Sequence, residues 1–161
     1  MARHKVRFRL ICVGKTEGGF VQDGVNHYIS RIAPFAALDF KEIRAAAHSG
    51  RDQAGALDRE GEAILSSLAP AAYLALLDEH GQQFSTREFA DWLRRVQQEA
   101  GAGLAFLIGG AYGVSPAVAA RADARVSLSR MTMPHQLVRV VFLEQLYRVL
   151  SLNAGHGYHH D

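Results

Sequence analysis

A chain of 161 residues with 48% hydrophobic and 21% charged side chains has the length and composition of one ordinary globular domain with enough apolar material for a real core. Its longest apolar run is far below the ~20 residues of a membrane span, and Leu10-Ile11-Cys12-Val13 lacks the length and cleavage site of a secretory signal, so a cytoplasmic protein is expected. The net charge of +2 is modest, but Arg3, His4, Lys5, Arg7, Arg9 and Lys15 concentrate positive charge near the start.

Residues 5–13 alternate, with Lys5, Arg7 and Arg9 on one face and Val6, Phe8 and Leu10 on the other, which predicts a strand. Its charged face suits either a solvated edge strand protected from aggregation or a positive surface turned toward nucleic-acid phosphates. Cys12 is the single cysteine and lies inside this pattern, so it reads as a small buried hydrophobe. Val21, Val25, Tyr28, Ile29 and Ile32 share one face of a helix over 18–32, and Pro34 separates it from a strand through Leu38, Phe40 and Glu42. The stretch 45–52, with His48, Ser49, Gly50 and Arg51, is polar, and a helix over 53–68 follows.

The apolar run 72–78 suits a strand buried on both faces of a parallel sheet, with Glu79-His80-Gly81 as its turn. Ser85 stands three residues before Glu88, a capping box for a helix that turns Phe89, Trp92, Leu93 and Val96 to the core. A strand over 104–108 leads to the glycine turn Gly109-Gly110-Ala111-Tyr112-Gly113, a helix started by Ser115-Pro116, a strand over 125–129, and a loop over 130–135 opening a long helix. Strands and helices alternating with short connections predict an α/β fold with a parallel-rich sheet flanked by helices. With no internal repeat or linker, residues 1–161 are expected to form one domain.

In such sheets ligands collect beyond the carboxyl ends of the strands, here Leu77-Asp78, Ile108-Gly109-Gly110 and Leu128-Ser129. The glycine turn alone is ambiguous. It lacks the spacing of a dinucleotide fold and the Gly-Lys-Ser/Thr of a nucleotide loop, and a plain turn before the Ser115-Pro116 helix explains it as well.

The segment Ser129-Arg130-Met131-Thr132-Met133-Pro134-His135, continuing through Leu137-Val138-Arg139-Val140-Val141 to Glu144-Gln145-Leu146-Tyr147-Arg148, resembles the signature of the trefoil-knotted, SPOUT-class methyltransferases. The nearest likeness is to the ribosomal RNA large-subunit methyltransferase H family, which modifies N3 of a pseudouridine. Matches run in order along the chain: Cys12-Val13-Gly14-Lys15, Glu60-Gly61, Leu107-Ile108-Gly109-Gly110, Thr132-Met133-Pro134-His135, and Tyr158-His159. The resemblance implies a C-terminal trefoil knot, an exception to the rule against knots. It implies S-adenosylmethionine held by Leu77, Gly109, Gly110, Leu128, Ser129, Arg130, Met131, Thr132 and Met133. It also places Tyr158 and His159 over the target base, with the tail supplied by the partner subunit of a homodimer. Family members usually carry a basic residue where this chain has His160.

Attack by N3 requires loss of its proton, so a base or a cation stabilising the anion is needed. His135 is the first candidate, against the alternative of a helix-start histidine bonded to backbone; Arg139 and Arg148 are candidate anion contacts, and Glu144 could orient one of them. Being nine positions apart, the two arginines lie on opposite sides of a helix and cannot share a contact. The apolar residues of the last helix exceed one stripe, which predicts a homodimer interface. The adjacent His159 and His160, with His156 and Asp161, lack the spacing of a structural metal site, so no metal is expected. Two other functions compete: a nicotinamide enzyme, disfavoured because Ser129 stands about twenty residues after Gly109 where an acidic ribose reader belongs, and a non-catalytic RNA-binding module using the basic first strand. A small, weakly basic protein has little surface for selecting one nucleotide from naked RNA, so the assembled ribosome is the expected substrate.

Overall fold

The computed structural model describes residues 5–48, 50–101 and 103–160; Arg3, His4, Ser49 and Asp161 lie outside them. Five strands, β1 (Val6–Val13), β2 (Ala36–Ile43), β3 (Tyr73–Gln83), β4 (Leu104–Ile108) and β5 (Ala124–Ser127), form one sheet in the order β2-β1-β4-β3-β5. Every pairing is parallel. The helices are α1 (Phe20–Ile32), α2 (Gln53–Ser66), α3 (Thr86–Glu99), α4 (Pro116–Arg121) and α5 (His135–Asn153).

Alternation along the central strands sorts the core into two layers. Leu10, Cys12, Phe106 and Ile108 face one side, where Val25 and Ile32 of α1, Leu93 and Val96 of α3, and Phe142 and Leu146 of α5 cover them. Ile11, Val13, Ala105 and Leu107 face the other, under Ile64 of α2 and Val118 of α4. β4 is buried at all five residues, as a strand covered on both faces must be, and its uninterrupted apolar composition follows from that position. The capping box forms as read: the Ser85 hydroxyl accepts from Glu88 N–H and the Glu88 carboxylate accepts from Ser85 N–H at 2.6 Å. Those bonds hold the Glu88 carboxyl below its usual range.

Two expectations are corrected. β1 is no edge strand, because it pairs with β2 along its whole length and with β4 from Phe8 onward. Its charged face is confined to the start: Lys5 and Arg7 are exposed, Arg9 binds Asp39 at 2.8 Å and Ser67 O, and the same face continues as buried Ile11 and Val13. Glu79-His80-Gly81 does not end β3. Leu77 and Gln82 both pair with Val126, so residues 78–81 are an excursion inside the strand. Gly81 is needed there because a Cβ would come within 2.6 Å of the Arg125 backbone. Most of the apolar surface of α5 is consumed within the chain: Phe142, Leu143, Leu146, Tyr147, Val149 and Leu150 are buried, leaving Leu137 at 36% exposure with Val140 and Val141 half-buried.

Cys12 is fully buried, and burial pushes its thiol up to about 12, opposed in part by the nearby Arg139 guanidinium.

Candidate active site

A cleft of about 480 Å³ opens beyond the carboxyl ends of β3, β4 and β5, within the range of small-molecule sites. β3 contributes Leu76, Leu77 and the first residues of its excursion, Asp78, Glu79 and His80; β4 contributes Ile108 and the turn from Gly109; β5 contributes Arg125 and Val126. The loop after β5 adds Leu128, Ser129, Met131, Thr132 and Met133, and α5 adds His135 and Val138.

Short polar contacts fix these walls. Gly113 N–H donates to Gly110 O at 3.1 Å, closing the turn. Ser127 Oγ donates to Ser129 O at 2.9 Å, and Ser129 Oγ in turn accepts from Met131 N–H at 2.9 Å, so the loop folds on its own serines. Across the mouth, Thr132 Oγ1 donates to Glu79 Oε2 at 2.8 Å. Asp78 accepts from His80 N–H at 3.0 Å and meets Arg125 at 3.4 Å.

Of the residues expected to grip a cofactor, Leu77, Gly109, Gly110, Leu128, Ser129, Met131, Thr132 and Met133 all line this cleft; Arg130 does not. A Cβ on Gly110 would meet Val13 Cγ1 at 3.3 Å, at the β1 end, and one on Gly109 would lie 3.0 Å from Gly113 O, so Gly110 permits packing on β1 and Gly109 permits the turn to close on itself. Asp78 lines it too, as the strand-end reading of Leu77-Asp78 expects, whereas Glu79, His80, Tyr112 and Arg125 were not among the expected site residues. For Glu79 and His80 the available signal was Gly81, which packs directly on the Arg125 backbone of β5. The lining suits S-adenosylmethionine: aliphatic walls from Leu77, Ile108, Leu128 and Val138 match a flat base, while the Asp78 and Glu79 carboxylates match a cation.

The other candidates separate. His135, the first residue of α5, lines the cleft. Arg139 is fully buried and donates to Val13 O (2.8 Å), Gly14 O (3.0 Å) and Thr16 Oγ1 (2.9 Å), so it clamps the β1 end and is unavailable as an anion contact. Arg148 lies about 20 Å along α5 from His135, at a rise of about 1.5 Å per residue. There Glu144 Oε1 accepts from Arg148 Nε at 3.0 Å and from Tyr158 OH at 3.3 Å. The Arg148 guanidinium sits 4.9 Å from the Tyr158 ring, which also packs on Tyr147 at 4.6 Å. The hydrogen bond to Glu144 raises the Arg148 pKa; burial first, then the Glu144 charge, raises that of Tyr158. Arg148, Tyr158 and His159 are absent from the cleft lining of their own chain.

A family model described as "Predicted SPOUT methyltransferase" matches residues 6–159. Curated proteins named ribosomal RNA large subunit methyltransferase H align over nearly the whole chain: one from Desulfovibrio desulfuricans is 43% identical, covering 94% of this chain and 96% of the relative. One from Geotalea daltonii is 41% identical, covering 96% and 100%. Among solved structures, a probable methyltransferase from Bordetella pertussis Tohama I superposes with a TM-score of 0.57 at 16% identity, covering 90% of this chain and 95% of that one. That similarity supports the fold alone.

Proposed function

We propose that this chain, which belongs to the SPOUT methyltransferase family and to its ribosomal RNA large subunit methyltransferase H branch, transfers a methyl group from S-adenosylmethionine to N3 of a pseudouridine in large-subunit ribosomal RNA. The observation that carries the reading is the cleft at three parallel strand ends, lined by the loop 128–133 and flanked by His135. The whole chain acts as one domain, with its C-terminal third tied as a trefoil knot around this cleft.

When bound, S-adenosylmethionine supplies an electrophilic methyl carbon on a sulfonium. The residues of this chain hold that donor and the base in line and exclude water. Leu77, Gly109, Gly110 and the loop 128–133, with Arg130 at its outer edge, form the donor site. His135 at the lip would accept the N3 proton, and the bound donor would supply its methyl carbon to N3 as the carbon–sulfur bond breaks and a neutral thioether leaves.

Arg148, Tyr158 and His159 complete the site from the partner subunit of a homodimer. The support for this is their separation from the cleft within one chain, together with the exposed Leu137 and half-buried Val141 left on α5. Glu144 aims the Arg148 guanidinium, which stabilises the developing anion of the base. No described helix is long and apolar enough to cross a membrane, and the site of action is the cytoplasmic ribosome.

The test is transfer of label from S-adenosylmethionine to ribosomes carrying the pseudouridine, mapped by mass spectrometry of the digested RNA. Calorimetry with S-adenosylmethionine and NADH separates the alternatives: binding of NADH alone supports the nicotinamide enzyme, and RNA binding without either supports the non-catalytic module.

A further inference from the structure

Tyr112 stands out among the side chains around the cleft. It lines the cleft yet remains 56% exposed. A surface tyrosine ordinarily needs no support, but this ring packs on the His48 ring with centroids 4.6 Å apart and planes inclined at 42°. His48 is fixed in turn, with its Nε2 3.3 Å from Glu60 Oε1, an oxygen that also accepts from Ala46 N–H at 3.0 Å. Glu60 is only 4% exposed, on α2. The next residue, Gly61, passes so close to Ser115 Oγ that any Cβ would collide with it. Thus one turn of α2 anchors both the strand-following segment that carries His48 and the end of the turn that carries Tyr112.

Charged groups of both signs stand around this end of the sheet. The ends of β1 and β2 are joined by Gly14 N–H donating to Ile43 O at 2.7 Å, and exposed Lys15 and Arg44 follow them. Of the acidic groups, Glu42 is engaged by the Thr16 amide and hydroxyl, Glu17 is exposed, and the Asp78 and Glu79 carboxylates that line the cleft with Tyr112 are engaged by Arg125 and Thr132. A presented aromatic face beside exposed cations is how proteins hold unpaired nucleotides: the ring stacks a base and the cations meet the phosphates.

We propose that Tyr112, backed by His48 and Glu60, is a stacking platform for an unpaired RNA base next to the one being methylated. The proposal rests on the reading of the chain as an RNA methyltransferase, but direct RNA binding tests it apart from methyl transfer. The probe is a fluorescein-labelled, single-stranded oligouridylate followed by anisotropy, in parallel with calorimetry of S-adenosylmethionine and methylation of ribosomes. Tyr112→Ala weakens oligonucleotide binding on the order of fivefold to tenfold and raises the KM for ribosomes in proportion. Its S-adenosylmethionine affinity stays within twofold of wild type. Tyr112→Phe keeps the ring and restores binding, and His48→Ala gives an intermediate loss because the ring remains but is no longer held. Unchanged oligonucleotide binding in Tyr112→Ala, or no binding by the wild type, overturns the platform. A loss confined to S-adenosylmethionine affinity also overturns it and makes Tyr112 a wall of the donor site. If the wild type binds the oligonucleotide through Tyr112 but methylates no ribosome, the platform stands and the proposed reaction falls.

Discussion

Replacing Arg139 by methionine tests whether the buried guanidinium is the clamp that fixes the end of β1. The substitution keeps much of the side-chain volume but removes the donors to Val13 O, Gly14 O and Thr16 Oγ1. Each buried acceptor left without a partner costs about 1–3 kcal/mol. Part of that loss is offset, because the wild type pays to bury a cation and methionine does not. The balance is a destabilisation of about 2–4 kcal/mol, which for a chain of this size lowers Tm by roughly 5–15 °C. The effect should reach the cleft, since Val13 is also the residue against which Gly110 packs. Thermal denaturation with and without saturating S-adenosylmethionine reads both parts: Tm falls without ligand, and the ligand-induced rise shrinks. Arg139→Lys, with a shorter reach and no fork, should recover part of the loss. A Tm within about 2 °C of wild type for Arg139→Met would refute the clamp.

Gly110→Val should lower Tm and weaken S-adenosylmethionine binding together, because the side chain is driven into Val13 at an overpacking cost of about 1–3 kcal/mol; calorimetry showing unchanged affinity would remove the turn from the donor site. For Cys12 the folded thiol is raised from 9.0 to about 12, so the unfolded chain loses its proton first. The contribution to stability is present below pH 9.0, declines as pH rises, and is gone once pH passes about 12. Urea melts at pH 8 and pH 10 should show a smaller loss for Cys12→Ala than for wild type. Removing residues 158–161 should cost about 1–2 kcal/mol, since the Tyr158 ring packs on Tyr147. The same truncation should lower methylation at least tenfold, about 1.4 kcal/mol of transition-state stabilisation, with donor affinity unchanged; full activity would mean the tail is only packing.

What could be read in the sequence was what local chemistry determines. Ser85 and Glu88 cap α3 through bonds three residues apart, and β4 declares its burial by having no polar residue. What could not be read depended on distant chain. Arg139 looks like a surface charge on a helix until Val13, Gly14 and Thr16, more than 120 residues earlier, converge on it. The strand pattern of residues 5–13 fits an edge or an interior strand equally well, because pairing partners on both sides come from elsewhere in the chain. Strand-end reasoning reached Leu128-Ser129, but the rest of the loop 130–133 entered as a proposed donor site through likeness to a family signature, because its residue types carry no charged fingerprint. The place of Glu79 and His80 was hidden for a different reason: a turn and a within-strand excursion use the same polar residues, and only the pairing of both Leu77 and Gln82 with Val126 tells them apart.

The separation of the two clusters along α5 yields a test that distinguishes catalysis within one chain from catalysis between two. His135 lines the cleft at the start of the helix, whereas Arg148 is tied to Glu144 and Tyr158 more than three turns later. A helix is too stiff to fold one end onto the other, so a site using both needs either a second copy or a large displacement of the tail. Mixing decides between these. Arg148→Ala leaves the cleft whole, and Gly109→Val spoils the cleft by pressing on Gly113 O while leaving the Arg148 cluster whole. If the tail acts across subunits, a purified mixed dimer pairs one intact cleft with one intact Arg148 cluster and recovers about half of the wild-type methylation per dimer. If each chain supplies its own, the mixed dimer is as inactive as either parent, and the homodimeric site is wrong.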